Sequence, residues 1–151
     1  MQILHSPLQH RHHVKNFMRH GRFVVGRDTP ARADNVLAAL LADGHVAREA
    51  PWHGMAPIAA IHTPEYLHFL RTAWAEWRKI PNASDEVFPY VFPVRGMMNG
   101  YPRSVMGQAG YHMHDLWVPL GEHSFEVAVA SANLAVEAAA CVLGGERMAY
   151  A

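Results

Sequence analysis

The sequence predicts an α/β domain: a parallel sheet flanked by helices. Three observations predict it. A short apolar run, Gln2 to His5, opens the chain and stops at Ser6-Pro7, as a buried first strand does. Helical periods then alternate with short apolar stretches in the order strand, helix, strand, helices, strand. A long helix with a broad small-residue face then leads into a last apolar stretch, Met148 to Ala151. Right-handed crossovers are the default for such connections. Parallel strands need neighbours and two covered faces. Three strands with three sizeable helices leave the sheet incomplete, and the last strand has barely started at Ala151. Residues 1–151 therefore read as the N-terminal part of a single larger domain, marginally stable in isolation.

Each element has its own signals. Leu8 to Gly26 is basic and histidine-rich without clear period, and reads as a loop. Thr29-Pro30 is an N-cap followed by proline at the first helical position. Val36, Leu37, Leu40 and Leu41 form a stripe at helical spacing, and Gly44 sits where a left-handed C-cap belongs. The expectation is a helix over 30–43, then a short strand within 45–49 ended by Pro51. A short helix follows over 55–62. Thr63-Pro64 repeats the cap-then-proline signal for a helix carrying Tyr66, Leu67, Leu70, Ala73, Trp74 and Trp77 on one face. Ser124 caps the third strong helix. Its expected inner face holds Val127, Ala128, Ala132, Ala135, Val136, Ala139 and Val142, and Gly144-Gly145 ends it.

The stretch 79–123 shows no convincing helical or strand period. It holds five of the ten prolines, five of the eleven glycines and six aromatics: Phe88, Tyr90, Phe92, Tyr101, Tyr111 and Trp117. Disordered linkers are poor in aromatics, and long loops in compact domains are usually functional. This one reads as long, ordered and functional.

Composition narrows the function classes. Lys and Arg balance Asp and Glu at 13 each, so there is no electrostatic footprint for nucleic acid or an anionic membrane. The N-terminal apolar run is too short for a signal peptide, and no stretch approaches the roughly 18 apolar residues of a membrane span. The single cysteine, Cys141, allows no disulfide within the chain and fits a reducing cytoplasm.

Histidine is the unusual residue, at twelve. His10, His12 and His13 cluster near the N-terminus with His20 close by, but Arg11, Lys15 and Arg19 oppose metal binding there, and solvated loop histidines are the preferred reading. His112 and His114 would share a face on a strand, with Asp115 free to orient one of them, yet no third ligand is identifiable. His62 reads as a buried histidine satisfied by backbone. Gly107-Gln-Ala-Gly110 lacks the spacing of a dinucleotide fingerprint. There is no phosphate loop and no Gly-x-Ser-x-Gly elbow. Cys141 and the Trp74/Trp77 pair read as core. The residues by themselves assemble no complete active site.

Taken in order, several pieces resemble one family. They are the opening strand with Ser6-Pro7, Thr29-Pro30-Ala31-Arg32-Ala33 at a helix start, and Ile61-His62-Thr-Pro-Glu-Tyr66-Leu-His-Phe69-Leu70. Trp74-x-x-Trp77, Phe92-Pro93-Val94-Arg95, Gly107-Gln108-x-Gly110-Tyr111 and the Ser124 helix leading to Met148-Ala-Tyr-Ala151 complete the set. Their order and spacing are similar to the N-terminal part of zinc-dependent deacetylases of the histone deacetylase superfamily, nearest the bacterial acetylpolyamine amidohydrolases. The resemblance implies an arginase/deacetylase-type fold, a bacterial, cytoplasmic enzyme, and hydrolysis of acetyl-amide bonds of acetylated polyamines or related amines. It also implies that the catalytic histidine pair, the zinc ligands and the transition-state tyrosine lie beyond Ala151. No catalytic residue and no metal ligand is then expected within 1–151, and this chain alone is expected to be inactive.

The resemblance further implies that the 79–123 loop shapes the tunnel mouth and brings two subunits together as a homodimer. Polyamine-processing members are expected to carry acidic residues at the entrance. The positions that align with them hold Phe17, Met106 and Trp117, which makes the mouth more apolar and admits an acetyl-lysine-like small molecule as substrate. Ordinary loop packing of those three residues is the alternative. Two other classes compete with the enzyme: a non-catalytic relative acting through dimerisation, and a small histidine-based metal-binding protein.

Overall fold

The computed structural model describes residues 1–94, 96 and 100–151, so Arg95 of the Phe92–Arg95 motif lies outside the described residues. They form two compact units: Met1–His13 with Asp28–His62 and Phe125–Ala151, and Val14–Arg27 with Thr63–Ser124.

The first unit is the parallel sheet and its helices. Strand β1 (Gln2–Leu4) lies between β4 (Ala47–Arg48) and β5 (Ala149–Tyr150), parallel to both. Ile3 pairs with Ala47 on one side and with Tyr150 on the other. Ile3 and Leu4 are buried, as the central position requires. After β1, Pro7–Arg11 forms a 3-10 turn capped by the Ser6 hydroxyl, which accepts the Leu8 amide at 3.3 Å. Helix α1 spans Ala31–Ala42. It starts one residue later than the sequence suggests: Pro30 occupies the N-cap and Thr29 supplies no side-chain cap. At its end Gly44 is left-handed (φ 82°), and the His45 and Gly44 amides bond the carbonyls of Leu40 and Leu41. That pattern is a Schellman motif. No residue of α1 is fully buried, and Val36 and Leu41 of its expected stripe are exposed.

Helix α2 is a single turn, Ala56–Ala59. His62, read as buried, is exposed, because the chain beyond α2 runs over the surface between two helices. Helix α5 spans Ser124–Leu143 and ends in a second Schellman motif, with Glu146 bonded to the Cys141 carbonyl and Gly145 to that of Val142. Its buried residues are Val127, Leu134 and Glu137, whereas Ala128, Ala135, Ala139 and Val142 of the expected face are exposed. An almost uniformly apolar helix has no clear stripe, so its inner face is set by what it meets. Ser124 is its first residue, and its hydroxyl accepts the Gly121 amide at 2.9 Å. By length and mean hydropathy (1.6) alone α5 matches a membrane span, contrary to the sequence expectation, because alanines carry the apolar count.

The second unit holds a β-hairpin and two helices. The stretch 8–26, read as a loop, contains β2 (Asn16–Arg19) paired antiparallel with β3 (Arg22–Val25). His20 and Gly21 turn between them with φ of 51° and 74°. Two left-handed residues match the right-handed twist of a hairpin; histidine in the first place hides the turn signal. Helix α3 spans Pro64–Trp77, with the Thr63 hydroxyl accepting the Tyr66 amide at 3.3 Å. The 79–123 stretch, read as lacking any helical period, contains α4 (Val105–His112). Ser104 caps α4, and two glycines mask its period. One of them is required by contact: a Cβ on Gly110 would lie 1.5 Å from the Val91 carbonyl oxygen. α3 and α4 close on a core of Phe69, Ala73, Trp77, Val87 and Ala109. Val87 and Leu120 exchange backbone bonds of 2.8 and 3.2 Å, which ties the two ends of the stretch together.

Candidate functional site

Three places gather chemistry-bearing side chains. The first is on the hairpin. Side chains two apart on a strand share a face, so β2 presents Phe17 and Arg19 together. Phe17 stacks on Trp117, with ring centroids 5.2 Å apart and planes 28° from parallel. The Arg19 guanidinium carbon is 6.0 Å from the Trp117 ring centroid. Two bonds hold this geometry: Met18 N–H to the Leu116 carbonyl (3.0 Å) and Trp117 N–H to Asp115 Oδ1 (2.8 Å). Buried Glu86 anchors the hairpin base by accepting the Lys15 and Asn16 amides at 2.9 and 3.3 Å. Of the three entrance positions expected from sequence, Phe17 and Trp117 meet. Met106 packs instead beside the Phe69–Ala109 core, where its sulfur takes the Tyr90 hydroxyl.

The second place surrounds His112. It is the last residue of α4, not a strand residue, so the shared strand face with His114 does not form. Asp115 orients no histidine; its Oδ1 holds the Trp117 amide. The His112 ring stacks on Phe69 at 4.9 Å and touches Tyr66, Tyr101 and Tyr111. Burial pushes its pKa below the ordinary histidine value, against the pull of Glu65, while His114 lowers it further. Burial also raises the Tyr101 phenol, with Glu65 and Tyr111 adding to it. A protonated phenol 3.0 Å from Nε2 of a neutral imidazole makes a satisfied hydrogen bond. This histidine is a packed aromatic-cluster residue.

The third place carries no motif in the sequence. Glu137, buried on α5, accepts from Arg48 Nη2 at 2.6 Å and lies 2.8 Å from His53 Nε2. The Arg48 hydrogen bond, then that of His53, holds its carboxyl below the ordinary range against the opposing effect of burial. Arg48 also contacts Cys141 Sγ at 3.3 Å. The His53 amide donates to Asn133 Oδ1, and the Asn133 side-chain amide donates to the Pro51 carbonyl. A carboxylate among the alanines in the second half of α5, well past Glu126 of the first turn, is the one signal that could have pointed to it. The cluster joins β4, the loop after it and α5, as an ion-pair clamp. Nearby, His5 Nε2 is buried without a hydrogen-bond partner among the described residues. Its ring lines a cavity of about 340 Å³ with His12, Asp28 and Arg32.

The N-terminal histidines do not converge. His10 pairs with Asp34 at 2.6 Å, and that bond, with one to the Pro7 carbonyl, raises its pKa. His20 serves the hairpin turn. Among the described residues no group of three or more His, Cys, Asp or Glu side chains is placed to hold a metal ion. These residues do not fit a zinc site.

No protein-family profile matches the chain. The acetylpolyamine amidohydrolase of Burkholderia pseudomallei is 39% identical over 146 residues, covering 96% of this chain and 42% of that protein. Acetylpolyamine amidohydrolase 2 of Pseudomonas aeruginosa is 27% identical, covering 99% of this chain and 44% of its own length. The crystal structure of the Burkholderia pseudomallei acetylpolyamine aminohydrolase, from an iodide soak, superposes with a TM-score of 0.90 at 37% identity. That match covers 97% of this chain and 42% of the other.

By sequence and by fold, the chain is homologous to the acetylpolyamine amidohydrolases. It matches the N-terminal portion of that hydrolase family, and its architecture is the α/β, arginase/deacetylase type expected from sequence. The chain spans less than half the length of the curated relatives it matches.

Proposed function

We propose that this chain is the scaffold-and-entrance portion of a single zinc-dependent deacetylase domain that hydrolyses acetyl-amide bonds of acetylated polyamines or related acetylated amines. The reading rests on one observation above the rest: the 0.90 TM-score at 37% identity along 97% of the chain with an acetylpolyamine aminohydrolase. In this proposal the metal ligands and proton-transfer groups lie outside residues 1–151. Bound zinc would polarise the acetyl carbonyl and activate water; residues 1–151 contribute fold and access. In this proposal the entrance is formed by Phe17 and Trp117, and Met106, packed beside the α3–α4 core, is not part of it.

A homodimer through the 79–123 stretch belongs to the same reading. It is supported by Tyr90, Val91, Phe92, Val94 and Val118, all exposed. Exposed apolar groups at this density mark interaction surfaces. A monomeric mass in solution at micromolar concentration would remove the dimer. A reducing, cytoplasmic setting accords with the lone Cys141, which is half-buried against Arg48 and Glu137.

The test is hydrolysis of N-acetylputrescine and of an acetyl-lysine reporter by two proteins. One is the product of the full open reading frame; the other is residues 1–151 alone. The expected outcome is turnover by the first, abolished by a chelator and restored by zinc, and none by the second. Turnover by residues 1–151, or none by the full product, overturns the proposal.

A further inference from the structure

Charge on the hairpin segment is one-sided. Between Val14 and Arg27 the chain carries Lys15, Arg19, Arg22 and Arg27 and no aspartate or glutamate. The carboxylates bonded to it are engaged at its base, where Asp85 holds Lys15 Nζ at 3.4 Å and Glu86 holds two backbone amides. Arg19 is placed differently. It stands beside the Trp117 ring and takes part in none of the ion pairs that the described arginines make. The nearest acidic neighbour of Trp117 in sequence, Asp115, is turned to the Trp117 amide. Trp117 itself is 54% exposed.

An open aromatic surface with a cation at its edge has a definite complement. The rings accept an aliphatic stem, and a guanidinium binds a carboxylate through paired, charge-assisted hydrogen bonds. The same arrangement opposes a ligand whose far end is a second ammonium, because like charges are then brought together without a counterion.

We propose that Arg19, on the platform of Phe17 and Trp117, is a specificity residue that binds the carboxylate end of an acylated amino acid, so that the preferred substrate is an Nε-acyl-lysine rather than an acylated polyamine. The inference rests on the amidohydrolase reading above and narrows it.

The experiment uses the product of the full open reading frame and compares kcat/KM for Nε-acetyl-lysine, its carboxamide and N-acetylputrescine. The natural protein is expected to favour the free acid over the carboxamide by on the order of tenfold, the scale of a charged contact at a binding surface. The preference should shrink with added salt. Arg19→Gln brings the ratio close to one through KM, with kcat on the carboxamide retained as the control for folding. Arg19→Glu raises kcat/KM on N-acetylputrescine. A ratio of one in the natural protein, or a ratio that survives Arg19→Gln, overturns the role of Arg19 and leaves the amidohydrolase reading standing. Absence of turnover on all three substrates removes both.

Discussion

The sheet unit and the hairpin unit bury their interiors in different ways. In the first, β1 supplies Ile3 and Leu4, α5 supplies Val127 and Leu134, and α1 buries no residue completely. A buried carboxylate, Glu137, is held there by Arg48 and His53. In the second, Phe69 and Val87 are wholly enclosed, and two tryptophans pack with their indole N–H groups bonded to the Ser84 and Asp85 carbonyls. The hairpin unit therefore closes on an apolar core, with Glu86 held by backbone amides at its edge, while the sheet unit holds its buried carboxylate in an ion-pair clamp. Apolar burial is insensitive to pH, whereas ion-pair clamps are not.

The contrast is broken hardest at Phe69. Phe69→Ala is expected to cost about 3–5 kcal/mol, the range for emptying an aromatic site in a closed core. Denaturant unfolding measures the loss, and hydrogen exchange should place it within 63–124. A loss below about 1 kcal/mol would mean that this core does not order the unit.

Gly110→Ala sharpens the point with a smaller change. Replacing glycine inside a helix normally stabilises by roughly 0.5–1 kcal/mol. Here the added methyl would meet the Val91 carbonyl, so destabilisation of about 1–3 kcal/mol is expected, as for an overpacked core. A neutral or stabilising result in the same unfolding measurement would show that α4 and the 91–92 segment separate easily.

The smallest effect is expected at Glu137, and it is read from pH. Its folded pKa is depressed by Arg48 and His53. Such a group contributes stability above its unfolded pKa, and that stability is lost as pH falls through the lower folded pKa. Melting temperature followed from neutral to acidic pH should therefore fall more steeply in the natural protein than in Glu137→Gln. Identical slopes would make the clamp incidental and erase the contrast between the units.

Elements with local signatures are legible in the sequence. Thr63-Pro64 announces α3, and Gly44 and Gly145 announce helix ends, because capping and left-handed turns are satisfied within a few residues. The hairpin escapes because His20-Gly21 replaces the usual turn residues. α4 escapes because its Gly110 serves a contact with Val91 that no local window reveals. The proposed entrance is legible in part: Phe17 and Trp117 stand out by sequence, but 100 residues separate them, and only folding stacks their rings. Met106 falls elsewhere for the same reason, since its neighbours are set by the packing of α3 and α4.

The sequence by itself determined the order of the main strands and helices, the strand at each end of the chain and the family likeness, since these follow from period, caps and motif spacing. Only the tertiary structure decided which face of α5 is buried, that Glu137 meets Arg48 and His53, and that Arg19 stands beside Trp117. Each of those depends on side chains brought together from distant parts of the chain, and hydrophobic pattern carries no record of which polar partner will be found there.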